Sequence, residues 1–160
     1  MQPNRLHDTV GLIGFVAVCF AAAGVGSWLT TLGLDDWYEG INKPTFTPPG
    51  WIFGPVWSAL YLMMAVAAWL VWRRERFAGA GGALGLFGLQ LALNVAWSGL
   101  FFAMQSPGAA LIEIVLLWLA ILATLVAFAR HSAAAAWLLT PYLAWVSFAA
   151  VLNFALWRLN

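Results

Sequence analysis

Three sets of side chains fall at helical spacing and together form the walls of a candidate binding site. Trp57, Tyr61, Met64 and Ala68 recur at i, i+4, i+7 and i+11, Gln90, Asn94, Trp97 and Phe101 repeat that arrangement, and Trp145, Ala149 and Asn153 line up likewise. At 3.6 residues per turn, each set shares one face of a helix. Aromatic planes interrupted by a few amides suit a flat apolar ligand, because small-molecule sites are mostly apolar and use a few polar groups to fix orientation. Tryptophan also anchors helices at membrane interfaces. Trp28, Trp51, Trp72, Trp137 and Trp157 lie near the ends of apolar runs and read as anchors, whereas Trp57, Trp97 and Trp145 lie deeper and read as walls.

The elements that carry these faces follow from composition. The chain of 160 residues is 64% hydrophobic and 8% charged, against roughly 45–50% and about 25% in soluble domains. Such an excess has no place in a water-soluble core, so the expected class is a polytopic membrane protein. Apolar runs cover residues 9–31, 51–72, 81–103, 107–129 and 133–157. Each is about the length of a membrane-spanning helix, and none alternates with the period of two that barrel strands require. The expected fold is an all-α membrane protein, a bundle of five transmembrane helices forming one domain over residues 1–160. Arg5 and Ala21-Ala22-Ala23 give the first run a superficial likeness to a signal peptide, but its length exceeds the roughly 7–15 residues of a signal core, so it reads as a retained span.

Orientation follows from the basic residues near the helix ends. Arg5, Arg73, Arg74, Arg76 and Arg130 share one side, while Lys43 and Arg158 lie on the other. This predicts a cytoplasmic N-terminus, with the first connection and the C-terminus outside. The first connection, residues 32–50, is the long one, and residues 73–80 (RRERFAGA) form the second. Pro44, Pro48 and Pro49 stiffen the first connection, because proline fixes φ and removes a donor. A Pro-rich lid loses little entropy when it closes over a ligand. Trp37, Tyr38 and Pro48 are candidates to touch that ligand; Lys43, the only lysine, is a candidate to meet a carboxylate at its edge but reads first as a solvated charge, and Asp35, Asp36 and Glu39 would not attract an anion.

Gln90 and Asn94 sit in mid-helix, as interhelical glue or, for Asn94, as a ligand contact. Glu113 lies about two turns inside the fourth run, and an intramembrane carboxylate is a functional hypothesis by default. Gly81, Gly85, Gly88, Ala92 and Ala96 form small-residue stripes that permit close backbone approach, within one chain or between two. The lone cysteine, Cys19, excludes an intramolecular disulfide, and the net charge of +1 gives no reason to expect nucleic acid. His7 and His131 are the only histidines and both fall at the predicted cytoplasmic edge, so neither suits a buried haem iron. There is no metal-ligand cluster, nucleophile elbow, phosphate loop or dinucleotide fingerprint, so no metal and no required cofactor is expected.

Trp37-Tyr38, Asn42-Lys43-Pro44, Thr47-Pro48-Pro49-Gly50 and Val56-Trp57, with Pro141-Tyr142-Leu143-Ala144-Trp145 and Val151-Leu152-Asn153-Phe154, resemble the TspO/MBR family over essentially the whole chain. That family comprises bacterial tryptophan-rich sensory proteins and the mitochondrial translocator protein, or peripheral benzodiazepine receptor. The resemblance implies a five-helix bundle whose first loop folds over a pocket for porphyrins such as protoporphyrin IX, with pocket residues matching Trp57, Trp97, Trp145 and Ala149. It implies a sensor or transporter tied to oxidative or light stress, and a homodimer through the third helix. It also implies an alternative, a light- and oxygen-dependent breakdown of porphyrin that uses Trp57 and Trp145. The sterol-contact pattern of animal members needs a tyrosine where this chain has Phe154, so sterol is not an expected ligand.

Overall fold

The computed structural model describes residues 4–160, and all the regular structure among them is helical. Four helices are long and apolar enough to cross a membrane: α1 (Arg5–Gly33), α2 (Phe53–Ser98), α3 (Pro107–Ala129) and α4 (Ala133–Leu159). Serine starts two of them. Ser106 Oγ accepts from the Ala109 amide at 3.4 Å ahead of Pro107, and Ser132 Oγ accepts from the Ala135 amide at 3.2 Å. Each cap satisfies one of the amides that a helix start leaves unpaired.

The second and third apolar runs both lie in α2, and no loop separates them. The expected connection at residues 73–80 is a reversal at a single residue, Arg76, with φ 54° and ψ −175°. The reversal is real, because Gln90 Nε2 lies 3.9 Å from Met64 Sδ, whereas a straight helix would hold residues so spaced about 39 Å apart. Arg76 occupies a region that non-glycine residues enter at a cost of about 1–3 kcal/mol. Its side chain is held in compensation: Arg76 Nη2 donates to Asp8 Oδ1 at 2.9 Å, and the guanidinium lies 4.3 Å over the Trp72 ring. Arg73 Nε meets the other Asp8 oxygen at 3.2 Å, and Trp69 Nε1 donates to the Asp8 carbonyl at 2.8 Å. The start of α1 is thereby clasped to the bend of α2. Trp72 belongs to this clasp. It is buried against α1, where Gly11 leaves no room for even a β-carbon, and so it is not the lipid-facing anchor its position suggests.

The first connection is also shorter than expected. Helical structure continues past Gly33 through a π turn, Leu34–Tyr38, as far as Gly40, and the Pro-rich stretch then leads to a 3-10 turn, Gly50–Ile52. A second π turn, Gly99–Ala103, ends α2, with the Met104 amide donating to the Gly99 carbonyl at 2.8 Å. Gly33 packs on that turn so closely that a β-carbon would strike the Phe102 carbonyl. α1 packs on α2 and this turn, and its backbone comes close to neither α3 nor α4. A gap therefore remains between α1 and α4, and the aromatic faces open into it.

The clasp predicts a stability order. Asp8→Asn should lower thermal stability in detergent by about 1–3 kcal/mol, since a charged hydrogen bond to Arg76 and an ion pair to Arg73 are lost, and Arg73→Gln should lower it less. Equal melting of all three proteins would mean that the bend holds without the clasp.

Candidate functional site

The gap is a cavity of about 850 Å³. Its walls come from α1 (Phe20, Ser27 and Thr30), from both legs of α2 (Trp57, Tyr61, Asn94 and Trp97) and from α4 (Trp145, Ala149 and Asn153), while Lys43, Thr47 and Pro48 close one end. Of the residues that the sequence singled out, Tyr38, Pro48, Trp57, Tyr61, Asn94, Trp97, Trp145 and Ala149 all border this one space. Trp37 does not. It turns away and packs edge-on against Phe101, ring centroids 5.5 Å apart.

The indoles are held by other rings. Trp57 lies 5.8 Å from Tyr61 and 6.4 Å from Tyr142, Trp145 lies 5.9 Å from Phe53, and Trp97 stacks on Phe101 at 5.0 Å. Such offset and edge contacts restrain aromatic planes beyond simple area burial. Trp97 is also pinned by a hydrogen bond, its Nε1 donating to Asn153 Oδ1 at 3.0 Å, while Asn153 Nδ2 donates to the Pro107 carbonyl at 2.9 Å. Asn153 therefore ties α2, α4 and the start of α3 together at the cavity edge.

A second polar chain runs behind the wall. Asn94 Nδ2 donates to Tyr142 Oη at 2.8 Å, Tyr142 Oη donates to Gln90 Oε1 at 2.7 Å, and Gln90 Nε2 points at Met64 Sδ at 3.9 Å. Gln90, Tyr142 and Met64 are fully enclosed, and only Asn94 reaches the cavity.

At the mouth, Lys43 is not a free solvated charge. Its Nζ donates to the Glu39 and Ile41 carbonyls at 3.4 Å and lies 4.6 Å from the Tyr38 ring centre, on the cavity border beside Asp35 and Glu39. Glu113 is buried with both carboxylate oxygens unpartnered among the described residues, and it lies off the cavity wall. No group of three or more His, Cys, Asp or Glu converges as a metal site among the described residues. The cavity can therefore grip a flat apolar body and hydrogen-bond its edge, with the charged groups Asp35, Glu39 and Lys43 confined to its mouth.

Sequence reasoning missed the α1 wall. Phe20, Ala23, Ser27, Thr30 and Leu34 recur every three or four residues, and the hydroxyls among them were the available signal.

A model of the TspO/MBR family matches residues 15–158. The chain belongs to this family. It is 44% identical to the tryptophan-rich protein TspO of Chlorobaculum tepidum over 91% of this chain and 92% of that one. It is 40% identical to the tryptophan-rich sensory protein of Cereibacter sphaeroides, over 96% and 93%. The human translocator protein is 44% identical over 78% of this chain and 75% of its own. Four long apolar helices and this membership make the TspO/MBR protein described here an integral membrane protein.

The Asn153 junction gives a direct test of wall rigidity. Asn153→Ala should cost more stability than Trp97→Phe, because it removes two interhelical hydrogen bonds where the other removes one, at about 0.6–2 kcal/mol each. Thermal unfolding in detergent reads the order, and a larger loss in Trp97→Phe would assign that corner to ring packing alone.

Proposed function

We propose that this protein binds a flat tetrapyrrole of the protoporphyrin IX type in the cavity between α1, α2 and α4, as a sensor or carrier linked to oxidative or light stress. One observation carries the reading: the indoles of Trp57, Trp97 and Trp145 face a common space of about 850 Å³, within the roughly 300–1,000 Å³ of small-molecule sites. The lining is mainly apolar, which suits a macrocycle, and the names of the sensory and translocator relatives support a sensing or carrying role. The ligand's carboxylates would stay at the mouth, where Lys43 provides a positive charge beside Asp35 and Glu39.

In this reading α2 is two spans, reversed at Arg76, so that the bundle has five. Residues 41–49 act as a lid, held to the end of α4 by Asn42 and Asn160: the Asn42 amide donates to Asn160 Oδ1 at 2.9 Å, and Asn160 Nδ2 returns a bond to the Asn42 carbonyl at 2.9 Å. The arginine-bearing end, with Arg73, Arg74, Arg76 and Arg130, faces the cytoplasm of a bacterial inner membrane. Gly81, Gly85, Gly88, Ala92 and Ala96 all point outward from the second leg of α2, and the surface over the glycines is open, which supports a homodimer through that leg.

A second reading is favoured by one feature. Trp57 and Trp145 border the same space, so a bound porphyrin would touch both indoles, and photo-oxidative breakdown of the macrocycle could draw on them.

Titration with protoporphyrin IX in the dark, in detergent, separates binding from partitioning. Saturable, one-to-one quenching of tryptophan fluorescence is expected, with affinity at least tenfold weaker in a Trp145→Leu, Ala149→Phe double variant. Linear quenching that the variant shares would reject the cavity as the site. Light-driven loss of porphyrin that needs Trp145 yet survives weakened binding would favour the second reading. For the dimer, Gly85→Leu with Ala92→Leu should shift the protein to monomer in analytical ultracentrifugation while porphyrin binding is unchanged; a persistent dimer would move the interface elsewhere.

A further inference from the structure

The polar chain behind the cavity wall has a direction, and the direction fixes what the wall presents. Gln90 is 1% exposed, Tyr142 and Met64 are 0% exposed, and Asn94 is 4% exposed. A thioether sulfur accepts weakly and has no proton to give, so the Gln90 amide must turn its NH2 toward Met64. That leaves Gln90 Oε1 for Tyr142, whose single hydroxyl proton is then spent at 2.7 Å. The Tyr142 oxygen can now only accept, and it accepts from Asn94 Nδ2 at 2.8 Å. No described residue donates to Asn94 Oδ1, and that atom is not among the sealed, unpaired atoms of the interior, so it opens on the cavity that Asn94 lines. Reversing the chain would set the Gln90 carbonyl against sulfur and turn the Asn94 NH2 into the cavity.

We propose that Met64, Gln90 and Tyr142 are positioning residues that hold the Asn94 amide with its carbonyl oxygen toward the cavity, so that the inner wall selects a ligand edge offering an N–H or O–H donor and disfavours an edge offering only acceptors, an ionised carboxylate above all. The proposal rests on the reading of the cavity as a ligand site and adds polarity to it. A buried acceptor facing another acceptor leaves both unpaired, and sites built on a polar group reject the analogue lacking its complement far better than apolar pockets discriminate by size. It follows that a carboxylate-bearing ligand enters with its charged edge at the Lys43 mouth and its neutral edge toward Asn94. Neither Met64 nor Gln90 touches the cavity. They act only through Tyr142 and Asn94.

A matched pair of flat neutral probes tests this without any porphyrin. Carbazole carries an N–H at the position where dibenzofuran, of nearly the same shape, carries a ring oxygen. Binding of each would be measured in the dark by equilibrium dialysis in detergent, with protein-free micelles as the blank. The wild-type protein is expected to prefer carbazole by about five- to tenfold, the size of one hydrogen bond. Tyr142→Phe cuts the chain and frees the Asn94 amide to turn, so the preference should fall toward one. Met64→Leu keeps volume and apolarity but removes the sulfur that orients Gln90, so the preference should fall without loss of melting temperature. A merely structural role for these residues would move the two affinities together and leave their ratio alone. A wild-type ratio near or below one, or a ratio unchanged in either variant, would overturn the proposal. Saturable binding of neither probe would overturn the cavity reading beneath it, a failure distinct from loss of selectivity alone.

Discussion

Inside a bilayer no water is available to satisfy a polar atom, so each one must find its partner within the protein or leave a penalty of several kcal/mol. The architecture follows from how this chain meets that demand. The backbone does so by being helical, and most of the buried polar side chains do so by reaching across to another element. Asp8 ties the start of α1 to the bend of α2, Asn153 joins α2 and α4 to the start of α3, and Tyr142 of α4 bridges to Gln90 and Asn94. These bonds do what hydrophobic collapse does in water, because lipid tails give apolar helix faces little reason to prefer one another. Arg76 Nη1 and the two Glu113 oxygens are the exceptions among the described residues.

The same pattern explains why a cavity survives. Every polar tie named above involves α2 or α4, and α1 packs along α2, clasped at its Asp8 end and by the close approach of Gly33 to the Phe102 carbonyl. Between those two points α1 faces α4 without packing on it, and the intervening rings are braced against their own neighbours instead of meeting across the gap. A rigid aromatic frame around unfilled space is what a flat ligand requires, since little entropy is lost in ordering the site when the ligand arrives.

Much of this was legible in the sequence because helical period survives in an apolar chain wherever a few side chains differ in kind. The fourth run, 107–129, has the bounds of α3, and the spacing of Trp57 with Tyr61, of Asn94 with Trp97 and of Trp145 with Ala149 put those residues on one space. What the sequence hid is equally physical. Phe20, Ala23 and Thr30 lie in a helix so largely apolar that only the hydroxyls of Ser27 and Thr30 mark the face that meets the cavity. The reversal at Arg76 depends on a positive φ in a residue that seldom adopts one, and it is sustained by Asp8, 68 positions away. Trp37 and Tyr38 were read as a pair, but helical structure continues through them, so these neighbours face different ways and only Tyr38 meets the cavity. Trp72 sits near a span end like a lipid anchor and is instead covered by Gly11 and Arg76.

The most direct test of the central claim is a crystal structure of the complex with zinc protoporphyrin, grown from a lipidic phase in the dark, with the metal located by its anomalous scattering. The account predicts a single zinc position inside the bundle, with the macrocycle in ring contact with both Trp57 and Trp145 and its propionates toward Lys43. Zinc found only on the lipid-facing surface, for example beside the exposed Trp51 or Trp137, would contradict it.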